Sequence, residues 1–359
     1  MTTDAHDHAS VRELLGAWAV HALPPDEQRL VPAHLADCEE CAAEAERLRT
    51  TVRHLDGPAP TAPAATAPAA TGPAEPSPGS HPMNQILARA LARRPPVPRT
   101  GPHAEPYAAA VAALQALLVE LAESGLPWGT PVIHDWSVQD TVAHLVAADE
   151  HLAVHLGLPA NEPPAPAPVA GDRWRTAWAT RTQRVIAHER ARPPHATVAT
   201  WREQAAALLA TPAAHDGEQA ARAATLLGVR LPVADHFLVR AFETWIHADD
   251  IGRALDRPVP PPPAAHLWRL VRLAVRILGL ALGPQAPTVA LTVTDAGRTT
   301  EWIVGAEGEP VRAELVLDSL DFCLLIGGRA TPDAVPRSTG GDEHAARAVL
   351  DQAARLAWL

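Results

Sequence analysis

Apolar positions near the start of the chain recur at helical spacing. Val11, Leu14, Leu15 and Trp18 fall on one face of a helix within a helical region spanning residues 10–56. Pro24-Pro25 breaks the run, and Asp26 and Glu27 then suit a new helix N-terminus, where carboxylates offset the positive end of the helix dipole. A third helical stretch, rich in Ala, Glu and Arg, follows Cys41 to about His54. Residues 57–82 carry Pro, Ala, Thr and Gly with almost no large apolar side chain, too little to bury a core, so they read as a linker, part flexible and part extended. Met83, Ile86, Leu87, Ala90 and Leu91 then share a face in a short amphipathic segment that ends at Pro95-Pro96.

The later pattern is first helical, then mixed. Residues 104–256 read as a helical bundle. One periodic helix runs from Tyr107 to Glu123, and a second starts at the capping-box-like Ser137-x-x-Asp140 and runs to about Gly157. Weaker stretches cover 173–190 and 197–210, and a strong one runs from Pro232 through Leu255. Ala264 to Leu282 is the longest apolar stretch. Arg269, Arg272 and Arg276 interrupt it three and four residues apart on one face, which predicts an amphipathic helix and no membrane span. The period then changes. Thr288–Thr294, Glu301–Val304 and Val311–Leu317 are β-like, and helices over 318–326 and 342–358 close the chain. The fold class is therefore mainly α: a small helical domain at 1–56, a linker at 57–82, an amphipathic helix and connector at 83–103, a bundle at 104–256, and a small α+β domain at 264–359.

Composition narrows the function classes. The formal net charge is −11 and all 30 basic residues are Arg, a composition that suggests a GC-rich bacterial genome. An acidic balance argues against direct nucleic-acid binding, which needs a basic face. Met1 to Ser10 is polar and acidic, so no signal peptide and a cytoplasmic location are expected. Three cysteines do not make a disulfide scaffold in 359 residues, and two of them are spaced as Cys38-x-x-Cys41, the pattern of metal or redox chemistry.

His34-x-x-x-Cys38-x-x-Cys41 places three nitrogen and sulfur donors within two helical turns, and a structural zinc ion takes four in a tetrahedron. The fourth must come from elsewhere, with His8 the first candidate and His6 and His21 behind it. Taken with Leu14-Leu15-Gly16-Ala17-Trp18 and Leu23-Pro24-Pro25-Asp26-Glu27, residues 8–54 resemble the zinc-binding anti-sigma domain. That resemblance implies zinc held by His8, His34, Cys38 and Cys41, and a small helical bundle that clasps an extracytoplasmic-function sigma factor with the help of a following helix. Met83 to Arg94 suits either that helix or a strut on the next domain. The sequence departs from the family in two ways. Pro32 sits inside the expected ligand-bearing helix, and a His as first ligand removes a third thiol that could serve as a redox release.

A second set of candidate ligands lies in the bundle. Glu243 and His247 stand four apart on one helix face, and His144 sits mid-helix among apolar neighbours. Facing helices would bring the three together, leaving coordination positions open as catalytic sites require, with Asp249 and Asp250 as outer carboxylates. Glu-x-x-x-His is common on helices and says little alone. However, His134-Asp135-Trp136-Ser137-Val138-Gln139-Asp140 leading to Ala143-His144-Leu145, together with Ala241 to Ile251, resembles the mycothiol-dependent maleylpyruvate isomerase family, a branch of the DinB-like four-helix bundles. The likeness covers about residues 104–358 and includes Leu324-Leu325-Ile326-Gly327-Gly328-Arg329. It implies a divalent metal, zinc first, held by His144, Glu243 and His247, and mycothiol or a similar low-molecular-weight thiol presented as a nucleophile. Arg329 is then a candidate for contacting an anionic substrate or cofactor, or else forms a salt bridge, while Cys323 in an apolar helix reads as core. Two functions compete. One is a soluble anti-sigma regulator of transcription whose bundle senses a thiol or electrophile. The other is a mycothiol-using, metal-dependent isomerase or S-transferase with an accessory zinc domain. The N-terminal segment tips the balance to the regulator, since a catalyst has no evident need of it.

Overall fold

The computed structural model describes residues 8–19, 31–32, 34–35, 38–56, 99–125, 127–164, 174–295 and 297–356. The chain divides into two compact units, Met1–Pro96 and Val97–Leu359. Several expectations lie outside the described residues: the helix beginning at Asp26, the linker 57–82, the amphipathic Met83–Arg94, and His6 and His21.

In the first unit, helix α1 (His8–Ala19) packs on α2 (Glu39–Asp56). Val11, Leu15 and Trp18, spaced for one helical face, meet Val31, Cys41 and Ala45 in a small buried cluster. The Arg49 guanidinium lies 3.9 Å from the centre of the Trp18 ring and covers its outer face. Among the described residues here, Val31, Pro32, His34 and Leu35 are each helical.

The second unit is built on a four-helix bundle. Its helices are α3 (Glu105–Ser124), α4 (Val138–His155), α6 (Pro194–Ala210) and α8 (Val233–Ala254), with α5 (Trp174–Arg190) packed on α4. By length and composition alone, among the described residues, α3 is long and apolar enough to cross a membrane, although Ala264–Leu282 is the longest apolar stretch of the sequence. Here α3 sets Tyr107, Val111, Leu114, Leu118 and Leu121 into the bundle core. Helix α4 begins where its capping box predicts. Ser137 accepts from the Asp140 backbone and Asp140 accepts from the Ser137 backbone. Nearly every residue from Val138 to Ala153 is buried, so α4 is enclosed on all sides, and the few polar side chains it carries must find partners inside the protein. The Arg181 fork on Glu150, at 2.6 and 2.8 Å, is one such pairing and ties α5 to α4.

Two hairpins were not legible in the apolar pattern. Strands β1 (Pro131–Ile133) and β2 (Trp136–Ser137) enclose His134 and Asp135, both at positive φ, the mirror-image turn that matches strand twist. After the one-turn α7 (Gly217–Ala220), β3 (Ala223–Leu226) pairs with β4 (Val229–Pro232) around Leu227 and Gly228, again both at positive φ. Helix α9 (Ala264–Leu282) then leads to a four-stranded sheet of β5 (Val289–Asp295), β6 (Arg298–Val304), β7 (Ala313–Asp318) and β8 (Ser338–Gly341). The order is β6-β5-β7-β8, with β5 and β7 parallel and the other neighbours antiparallel. Val289, Leu291 and Val293 alternate inward beside Ala313, Leu315 and Leu317, and α9, α10 (Ser319–Ile326) and α11 (Glu343–Ala354) cover them. A single buried cluster runs through the bundle helices and this α+β tail. The architecture is mainly α with small sheets, as expected.

Candidate metal centres

In the N-terminal unit, α1 contributes His8, the helical residues before α2 contribute His34, and Cys38 just before α2 and Cys41 in its first turn complete the set. One nitrogen or sulfur atom from each lies within 4.8 Å of the other three, a spacing that suits tetrahedral coordination of one ion. The His8 Nδ1 is 3.4 Å from the Cys38 sulfur and 3.5 Å from the Cys41 sulfur, and the His8 and His34 rings are 5.8 Å apart. The buried His34 Nε2 has no hydrogen-bond partner. Burial and the neighbouring Cys38 hold the Cys41 thiol above its ordinary pKa, so a cation at this point is what would favour the thiolate. Of the three candidates for the fourth ligand, His8 lies with the triplet among the described residues, while His6 and His21 fall outside them.

The bundle brings His144 and His247 together from α4 and α8, with ring centroids 4.8 Å apart and edges facing faces. Both imidazoles are fully buried. Burial pushes the His144 pKa well below its usual value, and the His247 and Arg240 charges push it the same way. Burial also lowers His247. Both shifts favour the neutral ring, the state that can donate a lone pair. Neither ring nitrogen of His144 has a hydrogen-bond partner, nor has Nε2 of His247, and three orphaned polar atoms in one buried spot are a costly arrangement unless they serve a ligand. The residues therefore fit a metal on the His side.

His247 is oriented through its other nitrogen. Asp250 Oδ2 lies 3.1 Å from Nδ1. Burial alone would raise the Asp250 pKa, but hydrogen bonds from His247 and Arg329 outweigh it, and the net shift is downward. An ionised carboxylate only accepts, so Nδ1 carries the proton and Nε2 keeps its lone pair toward His144. Arg329 forks onto the same carboxylate, with Nε 3.1 Å from Oδ1 and Nη2 on Oδ2, and also donates to the Gly327 carbonyl. Its side chain is only 7% exposed. Arg329 thus forms a buried ion pair behind His247. Asp249 instead pairs with Arg253, at 2.7 Å.

Glu243 is placed differently from its two expected partners. Its carboxylate accepts from Arg240, three residues earlier on α8. Burial raises its pKa to about 7 against the pull of that guanidinium. Among the described residues, the N-terminal quartet is the group of three or more His, Cys, Asp or Glu whose ligand atoms converge within 4.8 Å. His144, Glu243 and His247 share a core without sharing that geometry. Around the histidines, Trp136 lies 4.8 Å from His144 and 6.5 Å from His247, and Trp178 lies 5.5 Å from His144. The two-residue turn of β1–β2 is what swings Trp136 onto the pair. On the other side of Glu243 a cavity of about 70 Å³ is lined by Arg240, His151, His236, Leu231 and Ile277. Cys323 is fully buried with its thiol pKa pushed up by burial, in keeping with a core role.

Trp178, Arg240 and Asp149 do not stand out in the sequence, and Trp136 and Tyr107 enter it only as part of a motif and as a helix start. Only Arg240 left a usable trace there, as a charge one turn before Glu243 on the buried face marked by His236, Glu243 and His247.

Comparison with known proteins follows the same division. Residues 9–42 match a zinc-finger family, and residues 107–252 match the mycothiol maleylpyruvate isomerase N-terminal domain. Solved structures of a mycothiol-dependent maleylpyruvate isomerase and of its histidine-to-alanine mutant each align at 17% identity and a TM-score of 0.46, over 66% of this chain and 91% of theirs. A search of curated proteins finds no match. Two separate stretches of the chain are thus similar to known families, one to a zinc finger and the other to the mycothiol maleylpyruvate isomerase N-terminal domain.

Proposed function

We propose that this protein is a cytoplasmic, zinc-binding regulator of the anti-sigma type whose helical bundle senses a low-molecular-weight thiol at a divalent-metal site. The convergence of His8, His34, Cys38 and Cys41 within 4.8 Å carries the reading. Zinc bound there would fold a segment whose buried cluster is small, and so would make a surface for an extracytoplasmic-function sigma factor depend on the metal. In the bundle, His144, Glu243 and His247 would hold the second ion, again zinc first. A divalent ion in that place supplies a Lewis acid that lowers the pKa of a bound thiol such as mycothiol. The chain's own contribution is to keep both imidazoles neutral by burial, to fix the His247 tautomer through Asp250, and to wall the pair with Trp136 and Trp178.

If the bundle is a sensor, thiol binding and sigma-factor binding must change each other's affinity by the same factor. The test is the affinity of the full chain for each purified extracytoplasmic-function sigma factor of the source organism, with and without mycothiol, in wild type and in His144→Ala. A thiol effect that His144→Ala abolishes supports the regulator. Equal affinity in all four cases refutes it. A second reading rests on the orphaned nitrogens of His144 and His247, which favour retained thiol chemistry. Under that reading the protein is a mycothiol-dependent isomerase or S-transferase, and turnover of an activated double bond by the full chain, lost in His144→Ala, would distinguish it.

A further inference from the structure

The cavity of about 70 Å³ between α4, α8 and the β3–β4 hairpin has walls of two kinds. Leu152, Leu231 and Ile277 line it and are buried, whereas Trp174, Leu226 and Val229 line it and are at least partly exposed. Among the described residues, the cavity therefore opens at the hairpin and the first residue of α5. That rim is tightly packed. Gly228, at φ +75°, lies so close under the Trp174 indole that a Cβ there would overlap the ring. Four polar side chains, His151 of α4 and His236, Arg240 and Glu243 of α8, line the same space. Three of them are engaged. Arg240 and Glu243 are buried and paired with each other, and His236 Nε2 lies 3.0 Å from the Ala224 carbonyl. His151 differs, because its Nε2 is buried without a hydrogen-bond partner. Burial lowers its pKa from 6.5 to about 4, so the ring is neutral near pH 7.

We propose that this cavity binds a small neutral alcohol, with the hydroxyl on His151 Nε2 and the carbon body between Leu152, Leu231 and Ile277, leading out past Trp174. This goes beyond the metal and thiol reading and does not depend on it. Three features select the ligand. A neutral imidazole nitrogen donates or accepts according to its tautomer, and a hydroxyl can do either, so it satisfies Nε2 in both states. An ion is disfavoured, because the one cation and the one carboxylate in the wall already neutralise each other. An anion would have to draw Arg240 from Glu243, and an ammonium would have to draw Glu243 from Arg240, each leaving a buried charge poorly compensated. The apolar walls give water few partners, which favours a ligand with a carbon body over solvent. Size sets the limit. An apolar cavity of about 150 Å³ holds benzene, so this one encloses a hydroxyl and a short run of carbons, with any longer body lying along the rim.

The test uses the zinc-loaded full chain with ¹⁵N-labelled tryptophan, titrated with 1-butanol, butyrate and butylammonium at pH 7.5. The Trp174 indole signal is assigned by its loss in Trp174→Phe. Butanol should shift it saturably with a Kd at or below about 1 mM, within reach of so small a ligand. The two ions should bind at least about tenfold more weakly, or not at all. His151→Leu keeps the bulk but removes the hydrogen bond, and should weaken butanol about fivefold. Val229→Trp, at the partly exposed rim, should block entry and abolish the shift. His144→Ala should leave butanol binding unchanged, since that ring does not line the cavity. No saturable shift in wild type means a cavity that holds only water and overturns the proposal, as does an ion that binds as tightly as butanol. Unchanged affinity in His151→Leu overturns the hydrogen-bond assignment. Should His151→Leu not fold, unchanged binding in Val229→Trp overturns the site. Loss of the shift in His144→Ala would place the alcohol at the histidine pair and overturn it too, whereas failure of the metal reading would leave every one of these results as expected.

Discussion

Asp250→Asn separates two jobs that one carboxylate performs. Asp250 and Arg329 are each 7% exposed at the side chain, so their ion pair is effectively out of water. Removing one charge from such a pair costs about 3–5 kcal/mol, most of it the penalty on the charge left behind. Asparagine keeps the shape and one acceptor, which puts the expected loss near the lower end, about 3 kcal/mol out of a total of roughly 5–15. The second job is the His247 tautomer. Asn can offer its NH₂ group to Nδ1, which would move the ring proton to Nε2 and remove the lone pair from the site. Losing an outer carboxylate behind a ligating histidine typically lowers metal affinity by about 10–100-fold, or ~1.4–2.8 kcal/mol. Arg329→Gln is the control, since it breaks the same ion pair but leaves Asp250 on Nδ1. Urea denaturation should show similar stability losses for the two variants. Co²⁺ calorimetry on the zinc-loaded full chain should show the affinity loss mainly in Asp250→Asn. Equal affinity losses in both variants, or an Asp250→Asn chain with unchanged affinity, would refute the tautomer argument.

Two further outcomes follow from the same geometry. Changing Cys38 and Cys41 together to Ser should lower the zinc content of the purified full chain by one equivalent, measured by elemental analysis, and should abolish the helical signal of residues 8–56 while the melting of residues 99–356 is retained. An unchanged zinc content would dismiss the quartet as a site. His151 has its pKa lowered from 6.5 to about 4 by burial, with Arg240 and Arg181 acting the same way and Glu150 opposing them. The unfolded chain therefore takes up a proton near pH 6.5 that the folded one refuses until about pH 4, so this stability is present above 6.5 and lost as pH falls through that window. Between pH 7.5 and 5, His151→Gln should lose about 2 kcal/mol less stability than wild type in chemical denaturation, and equal losses would contradict the assignment.

The parts of this molecule that could be read in its sequence are those fixed by short-range rules. The capping box at Ser137 and Asp140 set the start of α4, and the Pro232 break set the start of α8, because each depends on residues within one turn. The quartet at the N-terminus was legible since three of its members lie within eight residues, and the fourth was narrowed to three histidines. The hairpins over 131–137 and 223–232 were missed because their strands are two to four residues long, too short to show alternation, and one turns through His134-Asp135, a weak turn signal. Strand β8, Ser338–Gly341, has no apolar side chain and pairs only because β7 presents an edge.

The placement of Glu243 shows a different limit. Sequence spacing set Glu243 and His247 four apart on one helix, with His144 expected beside both; the structure brings His144 to His247, but a carboxylate in a core goes to the strongest partner within reach. That partner is Arg240, one turn away on the same helix, and Asp149, brought in by α4 and held by Tyr107 of α3, is a second buried carboxylate on which the same cation acts. Three helices must already be packed before this balance exists, so no pattern along one helix encodes it.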